Sequence, residues 1–142
     1  MPEDAEKTAL RLIARAEQCT AGLSRKLEKR GFDTASISAV ISKLTETNLL
    51  NDSRFARMWL HSRLHFTRSP RRLFSSLRAR GIGHDDAEAA IKEVLDNETE
   101  FNLLVRFVKK NKKKAADKIS MKYLLKSEGF SIQVIQKFLE TD

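Results

Sequence analysis

The sequence predicts an all-α protein built as three tandem three-helix repeats, about nine short helices in a curved, elongated, modular arrangement. Three observations predict it. Apolar residues recur at helical spacing nearly throughout, with no sustained alternation of the kind a strand shows. Only five Gly and two Pro stand among 142 residues, which leaves little for the turns of a β fold. Gly31, Gly81 and Gly129 sit in one local pattern, "LEKRGF", "LRARGI" and "LKSEGF", at separations of 50 and 48 residues.

That pattern has a physical reading. A Leu lies four residues before each Gly (Leu27, Leu77, Leu125), and an apolar residue follows it (Phe32, Ile82, Phe130). A Gly just past the last helical residue takes the left-handed conformation that closes a helix, and the apolar residue after it packs back on the last turn. Counted from each Gly, apolar positions continue at +6, +9 and +10: Ile37, Val40 and Ile41; Ala87, Ala90 and Ile91; Ile135, Phe138 and Leu139. Those offsets line one helix face, so each repeat ends in a helix, a Gly closure and a second helix, with a further helix in front.

The elements follow in order. The first repeat, residues 1–49, holds helices expected at 5–18, 21–30 and 35–47. The second, 50–97, holds them at 53–67, 70–80 and 85–96, with Ser69 as N-cap and Pro70 at the first helical position. Asp85 and Asp86 suit the start of the last of these, where carboxylates meet the positive end of the helix dipole. The third, 98–142, holds them at 98–111, 115–128 and 131–140. A unit of about 45 residues buries too little apolar surface alone, so neighbours must stack.

The charge is uneven. With 27 Lys and Arg against 19 Asp and Glu the chain carries +8, which suggests a polyanionic partner. Residues 1–50 hold 8 basic and 7 acidic groups, 51–97 hold 9 and 6, and 98–142 hold 10 and 6, so the excess belongs to the middle and last units. From Arg54 to Arg80 there are eight arginines and neither Asp nor Glu. On a helical wheel of about 100° per residue, Phe55, Met58, Trp59, Ser62 and Phe66 form a core face, while Arg54, Arg57, His61, His65 and Arg68 form a cationic stripe. Leu60 and Leu64 fall off both faces and are expected to contact a neighbouring repeat or a partner. On the next helix Leu73, Phe74 and Leu77 point one way, and Arg71, Ser75 and Arg78 another. Arginines at that helix start can meet a phosphate together with backbone N–H groups. With no local acid to consume them, the arginines are expected to stay available to a partner.

The candidate binding residues are therefore Arg54, Arg57, His61, Arg63, Arg68, Arg71, Arg72 and Arg78, joined by Lys109, Lys110, Lys112, Lys113 and Lys114 of "KKNKKK". No catalytic or metal centre is expected. Cys19 stands alone, and flanking arginines would repel a cation from His61 and His65. No Gly-rich loop is present to cradle a nucleotide, and Asp85, Asp86 and Glu88 are explained as helix-start residues. An enzyme and a cofactor are accordingly not expected. The single Cys excludes an internal disulfide, and with no secretory pattern a cytoplasmic location is expected. No apolar run approaches the roughly 20 residues that cross a bilayer.

"NLLNDSRFARMWLHSRL" followed by "SPRRLFSSLRARGI" resembles the signature of the bacterial RecX family, regulators of the RecA recombinase. In that family an apolar residue, an Asp or Asn, an Asp, two variable positions and Phe-Ala open the middle repeat; here these are Leu50, Asn51, Asp52, Ser53, Arg54, Phe55 and Ala56. Leu77, Arg80, Gly81 and Ile82 match its closing pattern, and "LSRKLEKRGF" looks like the first-repeat equivalent. One departure is "FTRSPRRL", where the family usually has a Gly-rich turn; the third repeat matches only in helical pattern. The resemblance implies a protein that engages the groove of the RecA–DNA filament and restrains ATP hydrolysis, strand exchange and coprotease activity. Arg54, Arg57, Arg68, Arg71 and Arg72 would then face filament phosphates or RecA carboxylates, and Asp52 would be an N-cap for the following helix.

Two other classes compete. Three-helix units also suit a stand-alone helix-turn-helix-like DNA-binding protein, which binds naked DNA with strong salt dependence. A helical scaffold that binds only protein would ignore bare DNA. The expected partners are the RecA filament and single- or double-stranded DNA held through phosphates without sequence preference, with no membrane and with the chain as a monomer.

Overall fold

Most of the helices begin where the sequence supplies a side-chain oxygen. This computed structural model describes residues 4–65, 68–115 and 117–140. Among them are nine α-helices and no strand: α1 (Ala5–Arg15), α2 (Thr20–Lys29), α3 (Thr34–Glu46), α4 (Asp52–Arg63), α5 (Pro70–Ala79), α6 (His84–Val94), α7 (Asn97–Lys110), α8 (Lys118–Glu128) and α9 (Ile132–Glu140). Asp4, Asp33, Asn51, Ser69, Asp96 and Asp117 each cap a helix by accepting the backbone N–H three residues on. The three glycines close α2, α5 and α8 in the left-handed region, with φ of 93°, 95° and 111°. Behind them the N–H groups of Phe32, Ile82 and Phe130 reach the carbonyls of Leu27, Leu77 and Leu125 at 3.3, 3.1 and 3.2 Å. The Leu-to-Gly spacing thus ends three helices with the same bond.

Several boundaries move from their expected places. α1 stops at Arg15 rather than 18, because Ala16 is extended and the Gln18 amide donates back to the carbonyls of Leu12 and Ala16. α4 stops at Arg63 instead of 67, and Phe66, placed on its core face by the wheel, lies outside the described residues. α8 starts at its Asp117 cap rather than at 115, and Lys112–Lys114 form a 3-10 turn before it.

α1, α2 and α3 pack on one another around Ala9, Leu12, Leu23, Leu27, Val40, Leu44 and Leu50. α4 and α5 pack on α6, and α7 and α8 on α9. The last six helices share one apolar core, running from Ala56 and Leu60 through Leu73, Leu77 and Ile82 to Leu103, Leu104, Leu125, Val134 and Ile135. The wheel for α4 needs correction. Its buried centre is Ala56 and Leu60, both 0% exposed, while Phe55 and Trp59 flank it and Met58, at 51%, faces solvent with Ser62. Of the two contacts expected for Leu60 and Leu64, the one with a neighbouring unit is met: Leu60 lies in the core shared with the third unit and Leu64 packs against it. α4 lies against α6 of its own unit, and small Ala56 lets the two helices approach closely.

The second helices of the three units follow one another head to tail. The start of α2 meets the closure of α5: a Cβ at Gly81 would stand 2.4 Å from that of Ala21, and the Cys19 thiol and Arg25 guanidinium both donate to the Arg80 carbonyl. The start of α5 meets the closure of α8 likewise. A Cβ at Gly129 would lie 2.6 Å from that of Arg71, the Ser69 hydroxyl donates to the Glu128 carbonyl at 2.7 Å, and Arg71 donates to that of Ser127. The glycines thus serve twice, as helix closures and as the only residue that fits each junction.

Candidate functional site

Trp59 organises the basic surface of the second unit. The guanidinium groups of Arg63 and Arg80 lie over its ring, 5.1 and 5.3 Å from the centroid. With Trp59 these two cations line a cleft of about 440 Å³, whose other walls are Arg68, Leu73, Ser76 and Ala79. An adjoining groove takes Arg68, Ser76 and Ala79 as well, and adds Arg71, Arg72 and Ser75. On the other side Arg80 also lines a third cleft with Arg25, Lys26, Lys29 and Phe55, where the first and second units meet. The three openings share walls, so cations are spaced along one track from the start of α5 to the end of α2. Glu17 is an acid on that track.

The sequence-predicted residues divide on this surface. Arg63, Arg68, Arg71 and Arg72 lie on the track, with Arg68 exposed in both of its openings on the second unit. Arg54 does not join them. Its Nε donates to the Glu17 carboxylate at 2.6 Å and its terminal nitrogens to the carbonyls of Asn48 and Leu49, so it ties the first unit to α4. Arg57 donates to the Ser53 hydroxyl and faces Glu93 of α6 at 3.7 Å. Arg72 pairs with Glu128, and Arg78 donates to the Ile82 carbonyl at 3.0 Å. The expectation that the arginines stay available to a partner is therefore corrected for Arg54, Arg57 and Arg72: no acid is local to them, but Glu17, Glu93 and Glu128 come from positions distant in sequence. His61 is exposed on α4. Lys109 and Lys110 occupy the last turn of α7, where cations suit the dipole, and Lys112, Lys113 and Lys114 are exposed on the 3-10 turn. Arg106, one turn before Lys110, donates to the Leu64 carbonyl and ties this end of α7 to the end of α4.

Sequence reasoning missed Arg25, Lys26, Lys29 and Arg80 as site residues, and missed Trp59 as the ring that two of the cations share. The signal was present in "LSRKLEKRGF", with four cations to one acid, but charge summed over the first 50 residues hides it. Among the described residues, no three His, Cys, Asp or Glu side chains group as they would around a metal ion. No described helix is long and apolar enough to cross a membrane.

Family models for the first and second three-helix domains of RecX match residues 5–44 and 51–91. The regulatory protein RecX of Treponema pallidum is 31% identical over 140 residues, which span 98% of this chain and 85% of that one. The chain belongs to the RecX family. The regulatory protein RecX of Caldanaerobacter subterraneus subsp. tengcongensis is 27% identical over 137 residues, 96% of this chain and 70% of its own. The crystal structure of RecX from Lactobacillus salivarius has the same fold, with a TM-score of 0.81 at 20% identity over 96% of this chain and 92% of that one. The RecX signature positions have distinct physical roles here. Leu50 is buried, Asn51 caps α4, and Ala56 lets α4 pack. Asp52 is not the cap expected of it. It accepts the Thr20 N–H at 2.7 Å and so caps α2, whose own N-cap Cys19 makes no such bond.

Proposed function

We propose that this RecX-family chain is a cytoplasmic negative regulator of the RecA recombinase, which binds the RecA–DNA filament through its cationic track and restrains ATP hydrolysis, strand exchange and coprotease activity. The observation that supports this most is the continuity of the track: Arg71, Arg68, Arg63, Arg80 and Arg25 follow one another across two units. Spaced cations on one surface suit a partner whose negative charge repeats, such as a nucleic-acid backbone inside a filament. The Lys109–Lys114 run offers a second, sequence-independent phosphate contact. The test is RecA ATPase on single-stranded DNA with Arg63, Arg68 and Arg80 replaced by Ala. Inhibition should fall while the helical fold persists; undiminished inhibition removes the track from the mechanism.

A stand-alone DNA-binding protein is the second reading, favoured by Arg71 and Arg72, which are exposed at the start of α5 in one groove with Arg68. Affinity for naked single strand, naked duplex and RecA-coated DNA, measured across salt, separates the two. Preference for the coated strand supports filament regulation, and equal or tighter binding to naked duplex supports the alternative.

A further inference from the structure

The junction between units occurs twice within the chain, and its two halves recur at the ends with no partner among the described residues. From N-cap to closing Gly, α2, α5 and α8 share one spacing: Cys19, Ser69 and Asp117 open them, and Gly31, Gly81 and Gly129 close them twelve positions later. Ala21 and Arg71 are the third residues of this frame, and each receives the glycine closure of the next unit. The third residue of the last frame is Ile119, a large apolar side chain that is 71% exposed. Arg25 in this frame corresponds to Tyr123, also 71% exposed. At the opposite end, Gly31 has the same left-handed closure as Gly81 and Gly129, yet among the described residues a Cβ there would meet nothing within 4 Å.

We infer that the Ile119–Tyr123 face of one chain receives the Gly31 closure of a second copy, continuing the head-to-tail stacking of α2, α5 and α8 from molecule to molecule. Their equivalents, Ala21 with Gly81 and Arg71 with Gly129, already meet in the chain, so the contact extends an established interface. Tyr123 carries a hydroxyl donor where Arg25 donates to the Arg80 carbonyl, and would reach the Arg30 carbonyl. Asp117 cannot donate to a carbonyl as the Ser69 hydroxyl does, but its carboxylate meets the Arg30 cation, which stands where Arg80 and Glu128 stand in the other frames. A contact between two different faces does not close on itself, so association is open-ended. This departs from the monomer expected from sequence and does not depend on RecA.

The test uses the full chain in salt that screens its charge of +8. In sedimentation equilibrium the average mass should rise with concentration past that of a dimer. Ile119→Glu, at an exposed position, should hold the chain at monomer mass with an unchanged melting temperature. Arg30→Cys and Ile119→Cys chains, mixed and oxidised, should form the 30-to-119 disulfide in excess over both homotypic products; each variant alone reads the homotypic reaction, and Cys19 is buried. A wild-type chain that stays monomeric, an Ile119→Glu chain that associates equally, or cross-links in the proportions of random collision would overturn the proposal.

Discussion

The carboxylate of Asp52 accepts the backbone N–H of Thr20 at 2.7 Å, so the first helical residue of the second unit caps a helix of the first. Asp52→Ala should cost about 1–2 kcal/mol, the usual range for a lost N-cap. Asp52→Asn, which keeps an oxygen acceptor, should recover most of it. Urea unfolding of the three proteins measures both, and equal stability of wild type and the Ala variant would show that water replaces this bond.

Glu100 in α7 makes a second long-range cap. Only 6% exposed, it accepts the Ser131 backbone N–H at 2.8 Å and the Ser131 hydroxyl at 3.1 Å, at the start of α9. Glu100→Ala leaves two donors unpaired at the seam between α7 and α9, and a loss of about 1.5–3 kcal/mol follows from hydrogen bonds to a charged group. Thermal melts should show it, with Glu100→Gln between the two.

Gly31 and Gly81 separate helix closure from unit docking. Within one chain Gly31→Ala meets only the strain of a left-handed side chain among the described residues, about 1–2 kcal/mol. Gly81→Ala adds a Cβ 2.4 Å from that of Ala21 and should cost a further 1–3 kcal/mol or so, as overpacking does. Equal losses in denaturant unfolding would mean that the junction gives way freely.

Acid weakens three helix starts. The backbone N–H groups of Ser36, Thr99 and Ser120, helped by the Ser and Thr side chains, hold the carboxyls of Asp33, Asp96 and Asp117 below their ordinary value of 3.8. Each favours the folded chain above the unfolded carboxyl value, and that stability disappears as pH falls through the lower folded value. A chain with all three changed to Asn keeps its caps and should lose less melting temperature than wild type between roughly pH 5 and pH 2. Parallel curves for the two would rule these caps out as acid-sensitive sites.

The helices and their closures were legible because their causes are local. Leu27, Gly31 and Phe32 act within one turn, and Ser69 and Pro70 announce α5 at the positions where helices begin. The orientation of α4 was less legible. A wheel ranks Phe55, Trp59 and Met58 as core by size, but contact with α6 selects Ala56 and Leu60 instead. The basic surface was legible as composition only. Whether an arginine is free depends on acids brought from afar: Glu17 reaches Arg54 across 37 positions, and Glu128 reaches Arg72 from the third unit. Neither pairing leaves a trace in local spacing.

The division of the apolar interior has a consequence for motion. The second and third units share one core, while the first closes around its own, with Cys19 as its buried contribution to the larger one. The seam is crossed by polar bonds, the Asp52 carboxylate on Thr20 and the Arg54 guanidinium on Glu17. Two separate cores predict two foldons, the first the weaker because it buries fewer apolar residues. In amide exchange the first should open without the second, and each opening parts Arg25 from Arg80 and cuts the cationic track at that seam.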